Sequence, residues 1–187
     1  MILEFPRYAA EADVAFIREA VAQYGTNSDA DTYSGNREGT SLMITGTPGL
    51  EEVDAKINSI MLGIQEEISG IYETSFGSGD NGYEYHKYGV GQVCKTHTDG
   101  IVDKNTLLST GRSTIRYASV VLHLTTNTGG ELVFPNQNKS IKTETGKVVV
   151  FPPYGTHRHY TTPAAEDREV IVTWFTLVDL YAINLRK

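Results

Sequence analysis

The sequence predicts an α+β domain, in which a closed or double-sheet β core carries helices packed outside one sheet. Three observations lead there. Residues 10–24 and 48–70 place apolar side chains three and four apart, the period of a helix with one buried face. From residue 83 onward the pattern changes to short runs of β-branched and aromatic residues, bounded by Gly, Pro and Asn. No repeat, low-complexity tract or linker interrupts the 187 residues, so they read as one domain over 1–187. Its helical support covers about 1–72 and its β core about 83–180.

The first helix rests on Val14, Ile17, Val21 and Tyr24, with Gly25 as its stop. Residues 25–47 are polar, with Gly35 and Gly39, and read as loop with one strand at Ser41–Thr45. The second helix takes Thr47 as N-cap and Pro48 at its first position, where a missing N–H costs nothing. Its apolar stripe is Val53, Ile57, Ile60, Ile64, Ile68 and Ile71. The stretch Phe76–Gly82 is a turn cluster. Strands are expected at Tyr83–Tyr88, continued by Val93–His97, then at Ile115–Thr125, Glu131–Pro135, Lys147–Phe151 and Glu169–Val178.

Composition narrows the function classes. Forty per cent hydrophobic and 21% charged residues are ordinary for a folded globular chain. No apolar run reaches the length of about 18 residues that a spanning helix needs. The first twenty residues carry Glu4, Arg7, Glu11, Asp13 and Arg18, which break up any signal-peptide core. Cys94, the lone cysteine, has no partner for an internal disulfide, and a cytoplasmic protein is expected. Sixteen basic residues, scattered among 23 acidic ones, make neither a nucleic-acid surface nor a membrane-binding patch. Oligomeric state leaves no mark on the sequence.

The most informative local sequence is Lys95-Thr96-His97-Thr98-Asp99-Gly100. In an extended segment, residues two apart project to one side, so His97 and Asp99 can share an ion. A second histidine from elsewhere completes a facial triad, which suits Fe(II) with vacant positions. Alone, His-x-Asp is a weak signal, and a solvated turn is its plainer meaning. Further on, a strand beginning near Arg168 puts Arg168, Val170, Val172 and Trp174 on one face. A guanidinium on the inner side of an apolar strand is costly unless it meets an anion, and its fork matches a carboxylate. The competing reading has Arg168 at the surface, facing Glu166 and Asp167.

These residues fall into a longer series. Tyr88-x-x-Gly91 precedes His97-x-Asp99; Gly129-Gly130-Glu131-Leu132-Val133-Phe134-Pro135 and Gly146-Lys147-Val148-Val149-Val150-Phe151 follow. Then come His159-x-x-x-Pro163, Arg168 nine residues after that histidine, and Trp174 six further on. Over about half the chain, this series resembles the prolyl 4-hydroxylase group of 2-oxoglutarate/Fe(II) oxygenases in order and spacing. The resemblance implies a double-stranded β-helix (jelly-roll) core holding iron and 2-oxoglutarate, with the N-terminal helices packed against one sheet. It makes His97, Asp99 and His159 the metal ligands. It places Arg168 against the far carboxylate of 2-oxoglutarate, with Tyr88 hydrogen-bonded to the cosubstrate. His123 stands where many members carry a tyrosine that also reaches the cosubstrate, and Cys94 where the family often has a tyrosine.

The implied activity is a 2-oxoglutarate- and Fe(II)-dependent dioxygenase using O2, with ascorbate as a further cofactor candidate. Its implied partner is a proline-containing peptide or protein, over which the polar loops 26–47 and 99–114 are available to fold. The same chemistry on a free amino acid or other small molecule is the alternative, and a non-catalytic jelly-roll binding module is a third. No acid–base pair of side chains is nominated beyond the metal site. His157 competes with His159, both pointing to one side of an extended segment, and spacing to Pro163 and Arg168 selects His159. The Gly129-Gly130 pair reads as a turn needing positive φ. His86 is read as structural or exposed, and Trp174 as lining the core or the pocket wall.

Overall fold

The computed structural model describes residues 1–28, 36–77, 82–100 and 116–177. Parts of the expected turn at 76–82, of the loops 26–47 and 99–114, and of the core at 178–180 lie outside those residues. In chain order the elements are β1 (Leu3–Phe5), α1 (Glu11–Val21), β2 (Asn27–Ser28), β3 (Thr40–Met43), α2 (Glu51–Tyr72), β4 (Phe76–Gly77) and β5 (Glu84–Tyr88). After these come β6 (Arg116–His123), β7 (Leu132–Phe134), β8 (Lys139–Ile141), β9 (Val148–Phe151), β10 (Tyr160–Thr161) and β11 (Arg168–Leu177). Among the described residues, every strand pairing is antiparallel. The larger sheet runs β1-β9-β6-β11-β5-β3-β2, with β4 on β11; the smaller runs β10-β7-β8.

Two apolar clusters explain the layering. Val14, Ile17 and Val21 of α1 and the Val53–Ile68 stripe of α2 pack on Tyr83, Tyr85, Val120, Leu122, Val148, Val150, Ile171 and Phe175, the outer face of the larger sheet. On its inner face, Tyr88, Val121, Val149, Phe151 and Val170 meet Leu132, Phe134 and Ile141 of the smaller sheet. Strand alternation divides the residues between these faces, because neighbours along a strand point to opposite sides. The helices thus cover one face, as expected, and the other faces a second sheet.

Several boundaries differ from expectation for local reasons. The second helix begins at Glu51, not at Pro48, because Gly49 has φ +87° and Leu50 N–H closes a turn on Thr47 C=O (3.1 Å). Thr47 spends its hydroxyl on Met43 C=O (2.5 Å) and caps nothing. Glu51, Glu52 and Asp54 instead complement the helix N-terminus with negative charge. Ile71 is 48% exposed; Tyr72 takes its expected place, edge-on to Tyr117 and Phe76. Tyr24 lies beyond the end of α1 and donates its hydroxyl to Pro48 C=O (3.3 Å). Val93–His97 does not continue β5: the chain turns at Gly91 (φ +77°) and then pairs by single bridges. The Gly129-Gly130 turn has positive φ at both residues, and a Cβ on Gly129 would lie 2.3 Å from Pro163 O.

The helix–sheet contact is the larger apolar interface. Replacing the fully buried Ile64 with alanine is expected to lower unfolding stability by about 3 kcal/mol. Urea titration should show this as a lower midpoint with unchanged slope.

Candidate metal centre

Main-chain pairing builds the site. His97 N–H donates to His159 C=O (3.0 Å) and His159 N–H to His97 C=O (3.1 Å), an isolated antiparallel bridge. Nearby, Thr161 N–H donates to Cys94 C=O (2.9 Å) and Cys94 N–H to the Thr161 hydroxyl (2.8 Å). Lys95 and Thr96 therefore span an interval that Tyr160 alone spans opposite, the two-against-one count of a bulge. Such a bulge re-aims the next side chain, here the His97 imidazole. Its ring centroid lies 4.3 Å from that of His159.

Asp99 completes the cluster. Its Oδ1 is 3.2 Å from His97 Nε2 and 3.7 Å from His159 Nε2, and one ligand atom from each residue lies within 4.8 Å of the others. Backbone carbonyls orient both rings: His97 Nδ1 is 2.8 Å from Lys95 O, and His159 Nδ1 is 3.0 Å from His157 O. A carbonyl only accepts, so each Nδ1 carries a proton and each Nε2 is turned to the centre of the cluster. Two imidazole nitrogens and a carboxylate on one side are a donor set for a divalent ion with open positions.

Electrostatics follow the same geometry. Burial opposes the charge of His97, but its hydrogen bonds with Asp99 and Cys94 win and push its pKa up to about 10. Burial likewise opposes ionisation of Asp99, yet the His97 hydrogen bond and the two imidazoles hold its carboxyl well below the usual range. For His159 burial dominates and lowers the pKa, leaving a neutral ring.

The buried guanidinium is the second feature. Arg168 pairs across from Tyr88, is 4% exposed, and has its Cζ 5.0 Å from the Tyr88 ring centroid. Its Nε has no hydrogen-bond partner, and no carboxylate among the described residues forms an ion pair with it. The acids proposed for a surface position are engaged elsewhere: Asp167 with Lys87 Nζ (2.8 Å), and Glu166 with the Thr128 N–H (2.9 Å). A buried cation without an acid is destabilising unless an outside anion meets it, and a dicarboxylate fits. Arg168, Tyr88, Cys94 and the three clustered residues line one cavity, floored by Val121, Leu132, Val170 and Val172.

Other expectations fare differently. His123 is wholly buried with neither ring nitrogen partnered, but it does not line this cavity. Burial, with the Arg168 and Lys147 charges, drives its pKa well below the ordinary value, so its ring is neutral. His157 sits in a 3-10 turn, Gly155–His157, rather than in extended chain; its Nδ1 is 2.9 Å from Thr156 Oγ1 and its ring lies against Phe134. His86 is 1% exposed, not exposed, and lines the cavity with Arg37, whose Nη1 lies 3.3 Å from its Nε2. The period of two from Tyr88 was signal enough for His86. Arg37, in a polar stretch without periodicity, gave none.

The profile of the 2OG-Fe(II) oxygenase superfamily matches residues 83–176. No curated protein sequence matches the chain. Among solved structures, a viral collagen prolyl hydroxylase from Paramecium bursaria Chlorella virus-1, in complex with 2-oxoglutarate, is 17% identical with a TM-score of 0.68, over 95% of this chain and 96% of that one. A Pseudomonas putida prolyl-4-hydroxylase is 18% identical, TM-score 0.64, over 95% and 92%. A Trichoplax adhaerens prolyl hydroxylase, bound to a peptide fragment of hypoxia-inducible factor, is 16% identical, TM-score 0.72, over 100% and 87%. At these identities the likeness is one of fold, the double-stranded β-helix.

A divalent ion taken up by the three clustered residues must replace the proton on His97 Nε2. At any pH below about 10 the imidazolium is the starting form, so uptake is expected to release a proton. Affinity should rise by roughly tenfold per pH unit between about pH 6 and 8. Calorimetry in two buffers of different ionisation enthalpy reads the released proton directly.

Proposed function

The chain belongs to the 2OG-Fe(II) oxygenase superfamily, and from that membership we propose that it is a dioxygenase hydroxylating prolyl residues in a peptide or protein. The superfamily brings Fe(II), 2-oxoglutarate and dioxygen with it. The observation that carries the reading is the convergence of His97, Asp99 and His159 beside a buried Arg168 that meets no acid among the described residues. His97, Asp99 and His159 would hold the metal, the two imidazoles through Nε2 and Asp99 through its carboxylate. Arg168 takes the far carboxylate of 2-oxoglutarate, and Tyr88, paired across from it, supplies a hydroxyl beside the same group. His123, wholly buried behind the cavity lining, is not placed to reach the cosubstrate directly.

When bound, the metal and cosubstrate supply oxidation of a substrate C–H bond, coupled to conversion of 2-oxoglutarate into succinate and carbon dioxide. The chain's own contribution is positional. The carbonyls of Lys95 and His157 fix the two tautomers, and Val121, Leu132, Val170 and Val172 make the floor apolar. No side chain has to move a proton to the reacting carbon.

The prolyl substrate is supported by the three solved neighbours, each of which is a prolyl hydroxylase. Among the described residues, no helix is long and apolar enough to cross a membrane. Incubation with proline-rich peptides, Fe(II), ascorbate and 2-oxoglutarate is expected to add the mass of one oxygen to a proline. Oxygen appearing only on free amino acids or other small molecules would sink the peptide reading; failure to form any succinate would sink the enzyme. Omitting ascorbate from the same assay measures its requirement.

Two substitutions test the assignments. His159→Ala should abolish iron-dependent turnover while His157→Ala keeps most of it, and the reverse result would exchange their roles. Arg168→Gln should raise KM for 2-oxoglutarate at least about thirtyfold, the loss expected when a buried charge pair is broken.

A further inference from the structure

The peptide plane between Asp99 and Gly100 is clamped at both edges. Its carbonyl, Asp99 O, accepts from Arg116 Nη1 (3.0 Å), and its N–H, on Gly100, donates to Pro153 O (2.7 Å). The residue after Pro153 closes the circuit, because the Tyr154 hydroxyl donates to Arg116 O (2.6 Å). The Tyr154 ring packs against Gly100 closely enough that a Cβ there would lie 3.0 Å from Tyr154 Cδ1. We propose that Arg116, laid flat on Trp174 and braced by Tyr154, is a positioning residue that fixes Asp99 for metal binding.

The stack is what makes Arg116 a fixed post. Its Cζ is 3.6 Å from the Trp174 ring centroid, and Arg116, Trp174 and Asp99 are all buried. A long side chain pinned over an aromatic face loses the freedom that would otherwise blur a hydrogen bond. The arrangement depends on a slip in register between β6 and β11. Phe175 pairs with Ala118 but Thr176 with Arg116, so Tyr117 is the extra residue. Tyr117 packs outward against Tyr72 and Phe76, and Arg116 is thereby brought to the inner face beside Trp174.

Asp99 needs such a post. The last strand-like contact before it is the His97–His159 bridge, and Asp99 itself belongs to no strand. Fixing the plane that follows its Cα, with the His97–His159 bridge before it, holds the Asp99 backbone on both sides and narrows the directions open to its carboxylate. Groups that hold a ligand in this way typically change metal affinity by about 10- to 100-fold when removed.

The inference rests on the metal reading of the His97, Asp99 and His159 cluster, and the test separates the two. Co2+ is titrated into the full chain without cosubstrate, following the visible absorption of the bound ion. Arg116→Met, which keeps bulk but removes the donor, should raise the dissociation constant about tenfold. Arg116→Lys should recover most of that loss, and Tyr154→Phe should cost about threefold, the size of one indirect hydrogen bond. If Arg116→Met fails to fold by circular dichroism, Tyr154→Phe and Arg116→Lys carry the comparison. Absence of Co2+ uptake by the wild type overturns the metal reading and this inference with it. Wild-type uptake matched by every folded variant overturns the inference alone, as does a change confined to KM for peptide.

Discussion

Two main-chain hydrogen bonds tie His97 to His159, and they decide how closely two imidazoles from widely separated parts of the chain approach. Neither residue sits in a long strand, so neither borrows its position from a ladder of neighbours. The bridge supplies that position instead, and the backbone carbonyls of Lys95 and His157 then settle which ring nitrogen faces inward. Placing the donors on short, irregular segments lets a bulge and a turn set each angle separately. A regular strand would have forced all the donors onto one repeat of two residues. The neighbouring sheets supply rigidity, holding both segments between layers of buried Phe134, Phe151 and Leu132.

That rigidity has to tolerate a concentration of polar groups that would not stay buried by themselves. Arg168 and His123 lie on the inner face of the larger sheet with nitrogen atoms unpartnered, and Asp99, held ionised, lines the same cavity as Arg168. An apolar core in the same place would be more stable. The groups are arranged so that an ion and a diacid from outside would satisfy what the chain leaves open, making binding energy part of the structure's completion. Around the rim, Glu84 shows the opposite solution. Burial opposes its ionisation, but His86 and the Arg37 and Arg116 charges hold its carboxyl below the ordinary range, using groups of the chain itself.

The sequence made the layers legible because periodicity reports burial on a single face. Val14, Ile17 and Val21, and Val53 through Ile68, are the helical contacts. Arg168, Val170 and Val172 all line the cavity, as the period of two requires. Where the period breaks, it misleads. Continuing the β6 alternation from Val121 through Ser119 predicts Tyr117 inward and Arg116 outward, and the extra residue reverses both. The extended reading of 157–159 missed a 3-10 turn that separates two histidines otherwise alike in sequence. The edge strands β1 and β8 were not read from the sequence. Such local shifts are set by tertiary pairing, which no window of the sequence contains.

β11 shows how one strand meets the demands of both faces. Arg168 points into the cavity, and its neighbour Glu169 points out, where Arg18 of α1 grips it with two hydrogen bonds of 2.9 and 3.0 Å. Glu169 is further fixed by its backbone: its N–H donates to the Thr125 hydroxyl (3.0 Å), and its C=O accepts from Leu124 N–H (2.9 Å). The guanidinium that meets no acid among the described residues is therefore anchored one residue away from an acid that has its guanidinium. Strand geometry keeps the two charges on opposite sides of the sheet, so Glu169 cannot swing round to neutralise Arg168 without breaking the ladder. The pleat keeps the Glu169 carboxylate on the far side of the sheet from the cavity. Helix α1, which touches none of the metal-binding side chains, contributes to the site by holding that carboxylate in place.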